Sequence, residues 1–297
     1  MARHGGFSRQ ALRWCVSAAV ALGTAAACAA PADRPAHWTP DAVSTSDYES
    51  SPSFSPDGQR LLYLSADPAF SRWRLLETRC TPGGWSTPAP PAFAMAAPVM
   101  EADPAFTPDG AGAYFISTRH DPKHEDFDIY FVARDGDGWG TPERLPRPVN
   151  SDASELLPRV DGAGRLYFGS SRAGGQGQGD LYVAERAPSG DWTVRNLGPP
   201  VSTAANEYEA EVSQDGRTLV VVADRGDRSH LYLYRLEAAG WRETGRIAAR
   251  DDVFQVGPLL SPRGERLLFA QADDARSGEW FLVDLVPGST EAWPPAC

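Results

Sequence analysis

The sequence predicts an all-β fold, a β-propeller of about five four-stranded blades, with six left open. Three observations carry this expectation. One outline recurs five times, each recurrence holds a turn of fixed chemistry, and no segment beyond the N-terminal one has helical periodicity.

The turns are Pro56-Asp57-Gly58, Pro108-Asp109-Gly110, Gly162-Ala163-Gly164, Gln214-Asp215-Gly216 and Pro262-Arg263-Gly264, so their final glycines stand 48 to 54 residues apart. Proline presets φ at the first turn position and glycine supplies the positive φ that follows, so each turn joins two antiparallel strands. A third strand recurs at residues 73–77, 128–132, 180–184, 230–234 and 279–283. A fourth begins near Trp85, Trp139, Trp192 and Trp241, with Trp293 in the matching place at the end. Four short strands per period make a propeller blade. The 26 Pro and 28 Gly fall between the apolar runs, as turns require.

The segment ahead of the repeats reads as an export signal, residues 1–27. Arg3, Arg9 and Arg13 precede an apolar, alanine-rich run at 16–27 that is too short to span a bilayer. Ala25-Ala26-Ala27 suits cleavage by an ordinary signal peptidase. The same residues followed by Cys28 resemble a lipoprotein box, so Cys28 is a candidate lipid carrier, and Ala29 after it favours the outer membrane. Residues 28–44 are read as a linker with a closing strand, and 45–297 as the propeller. His37-Trp38-Thr39-Pro40 copies the end of a repeat, so an N-terminal strand is one candidate to complete the last blade, with Trp293 as the competitor.

Of the four cysteines, Cys15 leaves with the signal. Cys80 follows the third strand of the first blade and Cys297 ends the sequence beside the fifth. Those blades are neighbours in a closed ring, and export permits oxidation, so a Cys80–Cys297 disulfide is expected.

The repeats resemble the PD40 family, the TolB-like subset of WD40-like propellers. The five turns, the run Gly174-Gly175-Gln176-Gly177-Gln178-Gly179-Asp180, and the links at residues 148–155 and 200–207 carry the resemblance over roughly residues 45–290. It implies a periplasmic propeller with a general binding role. TolB carries an α/β domain before its propeller, and no counterpart to it is expected here.

The net charge of −11 argues against nucleic acid, which needs a basic face to displace phosphate counterions. It also argues against docking on anionic lipid, leaving a lipid anchor as the expected membrane link. An acid recurs at Glu49, Glu101, Glu155 and Glu207, with Gln255 in its place in blade five. An arginine recurs at Arg119, Arg172 and Arg225, 17 or 18 residues later. Each such pair is expected to meet at one end of a hairpin. Repetition favours a structural tether, and a charged ring at the channel mouth is the functional alternative.

The loop from Arg119 to Asp128 is the irregular element. It gathers His120, His124, Glu125, Asp126 and Asp128, a weak metal set, with a solvated loop as the plain reading. The glycine run at 174–179 precedes a strand, not a helix, so it is a flexible hairpin loop and not a phosphate cradle. No G-x-S-x-G, H-E-x-x-H or C-x-x-C occurs, and no catalytic residue, cofactor or cofactor-binding residue is assigned. The expected function is a non-enzymatic, monomeric envelope propeller that binds a protein or peptide. The alternatives are a carbohydrate-active lyase or hydrolase, and a carbohydrate-binding propeller.

Overall fold

The computed structural model describes residues 34–276 and 278–297. The proposed signal peptide, Cys15 and Cys28 lie outside the described residues. Those described form no helix, and their strands make five sheets.

Strand β1 (Ala36–His37) comes first. Blade one is β2 (Tyr48–Phe54), β3 (Arg60–Ala66), β4 (Trp73–Thr81) and β5 (Gly84–Trp85). Blade two is β6 (Glu101–Phe106), β7 (Gly112–Ser117) and β8 (Asp128–Asp135), with β9 (Gly138–Trp139) and β10 (Glu143–Arg144) sharing the outer place. Blade three is β11 (Glu155–Val160), β12 (Leu166–Ser170), β13 (Asp180–Arg186) and β14 (Trp192–Asn196). Blade four is β15 (Asn206–Val212), β16 (Thr218–Asp224), β17 (Ser229–Glu237) and β18 (Gly240–Arg246). Blade five is β19 (Gln255–Leu260), β20 (Arg266–Gln271) and β21 (Glu279–Asp284), with β1 on its outer edge. The ring is therefore a five-bladed propeller, and the six-bladed alternative falls.

Each sheet is antiparallel and wound in chain order, because each turn returns the chain beside the strand just made. The exception is the closure. Ala36 pairs with Leu282 and His37 with Phe281, Trp38 donates its backbone N–H to the Trp280 carbonyl at 2.8 Å, and the Trp38 and Trp280 rings stack. The N-terminal strand thus completes the last blade. Trp293, the competitor, is buried against Phe54 of blade one, and Arg266 donates to its carbonyl. The C-terminal tail crosses the turn end of the ring and finishes at Cys297, which is disulfide-bonded to Cys80 with 5.3 Å between Cα atoms.

The cores sit between blades. Leu62, Leu75, Phe93, Phe115 and Tyr130 fill the space between blades one and two. Val220, Val222, Leu231, Leu267 and Phe269 fill that between blades four and five. Each such side chain contributes about 1.5–3 kcal/mol by leaving water. Inner strands β2, β6, β11, β15 and β19 lie against one another around the ring. Each has a register shift at the same place, for instance between Ser50 and Ser53 and between Ala102 and Ala105, so a bulge recurs in every blade.

Candidate functional site

An inner strand pairs on one edge only, so its other edge presents unpaired N–H and C=O groups to the channel. Here polar side chains from the next blade answer them. Asp103 accepts from the Ser51 hydroxyl at 2.8 Å and from the Leu157 amide at 3.1 Å, tying blades one, two and three. The Ser53 hydroxyl accepts from the Phe106 amide at 2.9 Å. Glu209 accepts from the Gly257 amide at 2.8 Å and Glu211 from the Leu260 amide at 3.3 Å, tying blade four to five. Arg159 of blade three donates to the Pro104 carbonyl at 3.2 Å and faces Glu211 of blade four. Gly257 at φ +59 closes the belt, since a Cβ there would collide with the Ser51 backbone.

The belt is acidic, with Asp103, Glu209 and Glu211 against Arg159. Burial pushes the Glu209 carboxyl up to about 8, helped by the nearby charge of Asp103. Burial pushes Glu211 up to about 7 despite Arg159 beside it. Arg159 Nε and Glu211 Oε2 are 2.6 Å apart but off-line, and neither atom makes an aligned hydrogen bond among the described residues. Asp103 is also raised, by burial first. A cleft of about 260 Å³ opens over Arg159 and Glu211 at the turn end of the channel.

At the other end, where the inner strands begin, the mouth is aromatic. Tyr48 is buried, and its hydroxyl is raised by burial and then by the charge of Glu209 across in blade four. Phe70 and Phe254 lie against its ring, with centroids 4.9 and 5.6 Å away. Both are exposed, at 40% and 37%. Phe70 has φ +54, a left-handed conformation that is costly for a bulky side chain. The turn that imposes it is built by Asp67, whose Oδ1 accepts from the amides of Ser71 and Arg72. A cleft of about 450 Å³ lined by Trp73, Met95, Pro98 and Met100 lies beside Arg72 and Asp67 of the same loop. Met95 is 49% exposed.

The recurrent acids and arginines meet in two blades of the three expected. Arg119 pairs with Glu101, and Arg172 with Glu155 at 2.8 Å, each acid also holding a serine hydroxyl at 3.0 Å. In blade four the expected pair does not form. Arg225 turns outward to Glu243 at 2.8 Å and covers the Tyr232 ring, while Glu207 is held by Thr203. Glu49 accepts from Thr45 at 2.5 Å, and burial pushes its carboxyl up to about 7. These acids stay buried in hydrogen-bonded pockets.

The irregular loop does make a site of its own. His120 Nε2 lies 2.9 Å from Asp128 and 3.5 Å from Asp126, and Arg144 pairs with Asp128. Asp128 is wholly buried, and burial raises its carboxyl. A cleft of about 680 Å³ opens here, lined also by Lys123, Arg147 and Asn150. His124 turns instead to the Thr118 carbonyl at 3.4 Å, and among the described residues the weak metal candidates of this loop do not form a cluster of ligand atoms. Among the described residues, three candidate ligands meet elsewhere, at His37, Asp273 and Glu279. The glycine run is exposed from 174 to 178 but held at two points. Asp180 accepts from the Gln176 amide at 2.7 Å, and a Cβ at Gly177 would collide with the Ala205 carbonyl.

Sequence reasoning passed over Asp103, Arg159, Glu209, Glu211, Phe70, Phe254 and His37. A signal for the channel residues was present. Two and four places after the recurrent acid, the repeats disagree: Ser51, Asp103, Leu157, Glu209 and Gly257, then Ser53, Ala105, Arg159, Glu211 and Leu259.

No protein-family model matches the chain, and no curated protein does. Solved structures share the fold. TolB from Acinetobacter baumannii aligns over 82% of this chain at 17% identity and TM-score 0.53, and the alignment covers 56% of that protein. A candidate TolB from Agrobacterium tumefaciens aligns over 81% of this chain and 78% of its own length at 21% identity and TM-score 0.54. An α-L-arabinofuranosidase from Lactobacillus brevis aligns over 82% and 92% at 13% identity and TM-score 0.50. The chain spans little more than half of the first of these. What the alignments establish is the β-propeller fold.

Proposed function

We propose that this protein is a monomeric, non-enzymatic propeller of the cell envelope that binds an extended segment of a partner protein at the strand-start mouth of its channel. The observation that supports the reading is the pair Phe70 and Phe254, held over Tyr48 with more than a third of each residue exposed. An exposed aromatic kept at positive φ by a purpose-built turn costs stability, and such cost concentrates at recognition sites. Rigid aromatic anchors at a mouth suit apolar side chains of a partner. Export rests on the basic and apolar N-terminal segment, and anchoring on Cys28.

The test is crosslinking in intact cells, then purification and mass spectrometry of the attached proteins. Phe70→Ala with Phe254→Ala should lose the partner at least tenfold while the melting temperature stays within a few degrees. Unchanged capture by the double variant refutes the reading.

A second reading has its own support, His120, which lines the cleft of about 680 Å³ and is backed by the buried Asp128 at 2.9 Å. An imidazole oriented by a buried carboxylate can move a proton, and Lys123 and Arg147 would hold an acidic sugar. Turnover of uronate-containing oligosaccharides that is abolished by His120→Ala would establish it.

A further inference from the structure

The closure of the ring carries a cluster that the partner-binding reading does not use. His37 of β1, Asp273 of the loop before β21, and Glu279 at the start of β21 each offer a ligand atom, all within 4.8 Å of one another. His37 Nε2 and Glu279 Oε2 are 3.2 Å apart. Two ligands of a tetrahedral zinc ion, each about 2.0–2.1 Å from the metal, stand about 3.3 Å apart. The same spacing that makes this pair a hydrogen-bonded contact also matches one edge of such a coordination polyhedron.

The remaining oxygens are pinned from behind. Glu279 Oε1 accepts from the Ser44 hydroxyl at 2.6 Å and from Arg276 at 3.0 Å. Asp273 Oδ1 accepts from the amides of Ala275 and Arg276 at 2.7 and 2.6 Å. The His37 ring is set edge-on against Phe281, centroids 5.6 Å apart. Such outer contacts orient ligands around a metal. Charge supports a cation as well. Glu49 is wholly buried, feels the charge of Glu279, and leaves one carboxylate oxygen without a hydrogen bond among the described residues. The Arg276 guanidinium pairs with Glu279 at 3.0 Å, while nearby Asp47 is paired with Arg74 at 2.7 Å.

We infer that His37, Asp273 and Glu279 bind a divalent transition-metal cation, zinc being the fitting probe, and that the ion fastens β1 to the fifth blade. One imidazole and two carboxylates suit zinc, with water in the fourth place, while calcium and magnesium prefer all-oxygen cages. The ion would reinforce a seam whose strand is only two residues long. This inference is independent of the partner-binding reading.

The experiment uses untagged protein stripped with a chelator and titrated with zinc against a chromophoric competitor. One equivalent is expected to bind, with a rise in melting temperature of about 5 °C at saturating zinc. Calcium and magnesium should give neither. His37→Gln and Asp273→Asn should each lower the affinity at least tenfold, the second keeping the loop contacts through its amide oxygen. Hydrogen exchange at Trp38 should slow on zinc addition. Absence of uptake by the unsubstituted protein overturns the proposal, as does uptake indifferent to both variants. Zinc binding that leaves Trp38 exchange unchanged overturns the fastening role.

Discussion

Arg159 of the third blade and Glu211 of the fourth stand 2.6 Å apart on adjacent inner strands, both side chains buried and neither atom of the contact well aligned for a hydrogen bond. Arg159 also donates to the Pro104 carbonyl of blade two, so one guanidinium joins three blades.

Removing that guanidinium leaves a buried carboxylate without its counter-charge. Arg159→Met is expected to cost about 3–5 kcal/mol of unfolding free energy at pH 9, above the titration of Glu211, read from urea denaturation. Combining it with Glu211→Gln should restore more than half of the loss, because the uncompensated charge is gone. A double variant as unstable as the single one refutes this account of the pair.

The same belt gives the stability a pH slope. Glu209 and Glu211 titrate near 8 and 7 in the fold, against an ordinary value of 4.5. The folded protein holds these protons longer than the unfolded chain, so raising the pH favours unfolding. Their contribution is fully present below about pH 4.5 and is lost as the pH climbs through 7 and 8. The urea midpoint should fall steadily between pH 5 and pH 9. Glu209→Gln should flatten the upper part of that slope, and a variant with an unchanged slope counts against the assignment.

The paired arginines separate into two classes. Arg119 and Arg172 side chains are 14% exposed and their acids almost fully buried, whereas Arg225 and Glu243 are each about a third exposed. Arg119→Ala and Arg172→Ala should each cost about 2 kcal/mol or more, through the stranded acid and the lost cover over Phe115 or Phe168. Arg225→Ala should cost less than about 1 kcal/mol, the range of exposed pairs. Equal losses in thermal or urea denaturation would remove the distinction.

The disulfide closes a loop of 217 residues in sequence separation. Chain-entropy reasoning assigns such a loop about 5 kcal/mol, with measured values more often 2–4 kcal/mol. Cys80→Ser with Cys297→Ser should lower the melting temperature by about 5–10 °C. A denatured, unreduced sample should show neither of these two cysteines as a free thiol, and finding both free would exclude the bond.

The blades were legible in the sequence because a turn such as Pro56-Asp57-Gly58 has a local cause and recurs with its strands. The seam was less legible. His37-Trp38-Thr39-Pro40 pointed to a closing strand, but Trp293 looked equivalent until its burial under the turn end became visible. Arg225 misled for a related reason. Spacing placed it beside Glu207, yet the choice between two acids is made by side-chain packing on Tyr232 and Tyr234, which spacing does not encode. The channel belt escaped because its members differ from blade to blade. Phe70 escaped because its conformation is imposed by a turn anchored at Asp67, not by any repeat.

The fifth blade takes three strands from residues 255–284 and its fourth from residues 36–37. During synthesis, β1 must therefore wait through four complete blades before its partner exists. Until then the growing molecule is an open arc whose first blade has no neighbour on one side, with the apolar flank around Tyr63 and Trp280 unfilled. Such a topology folds late and all at once, since contacts between the first and last fifths of the sequence come only when nearly everything has been made. The ring can close only once residues 279–284 are available to β1, so the last blade to be made is also the one that locks the first.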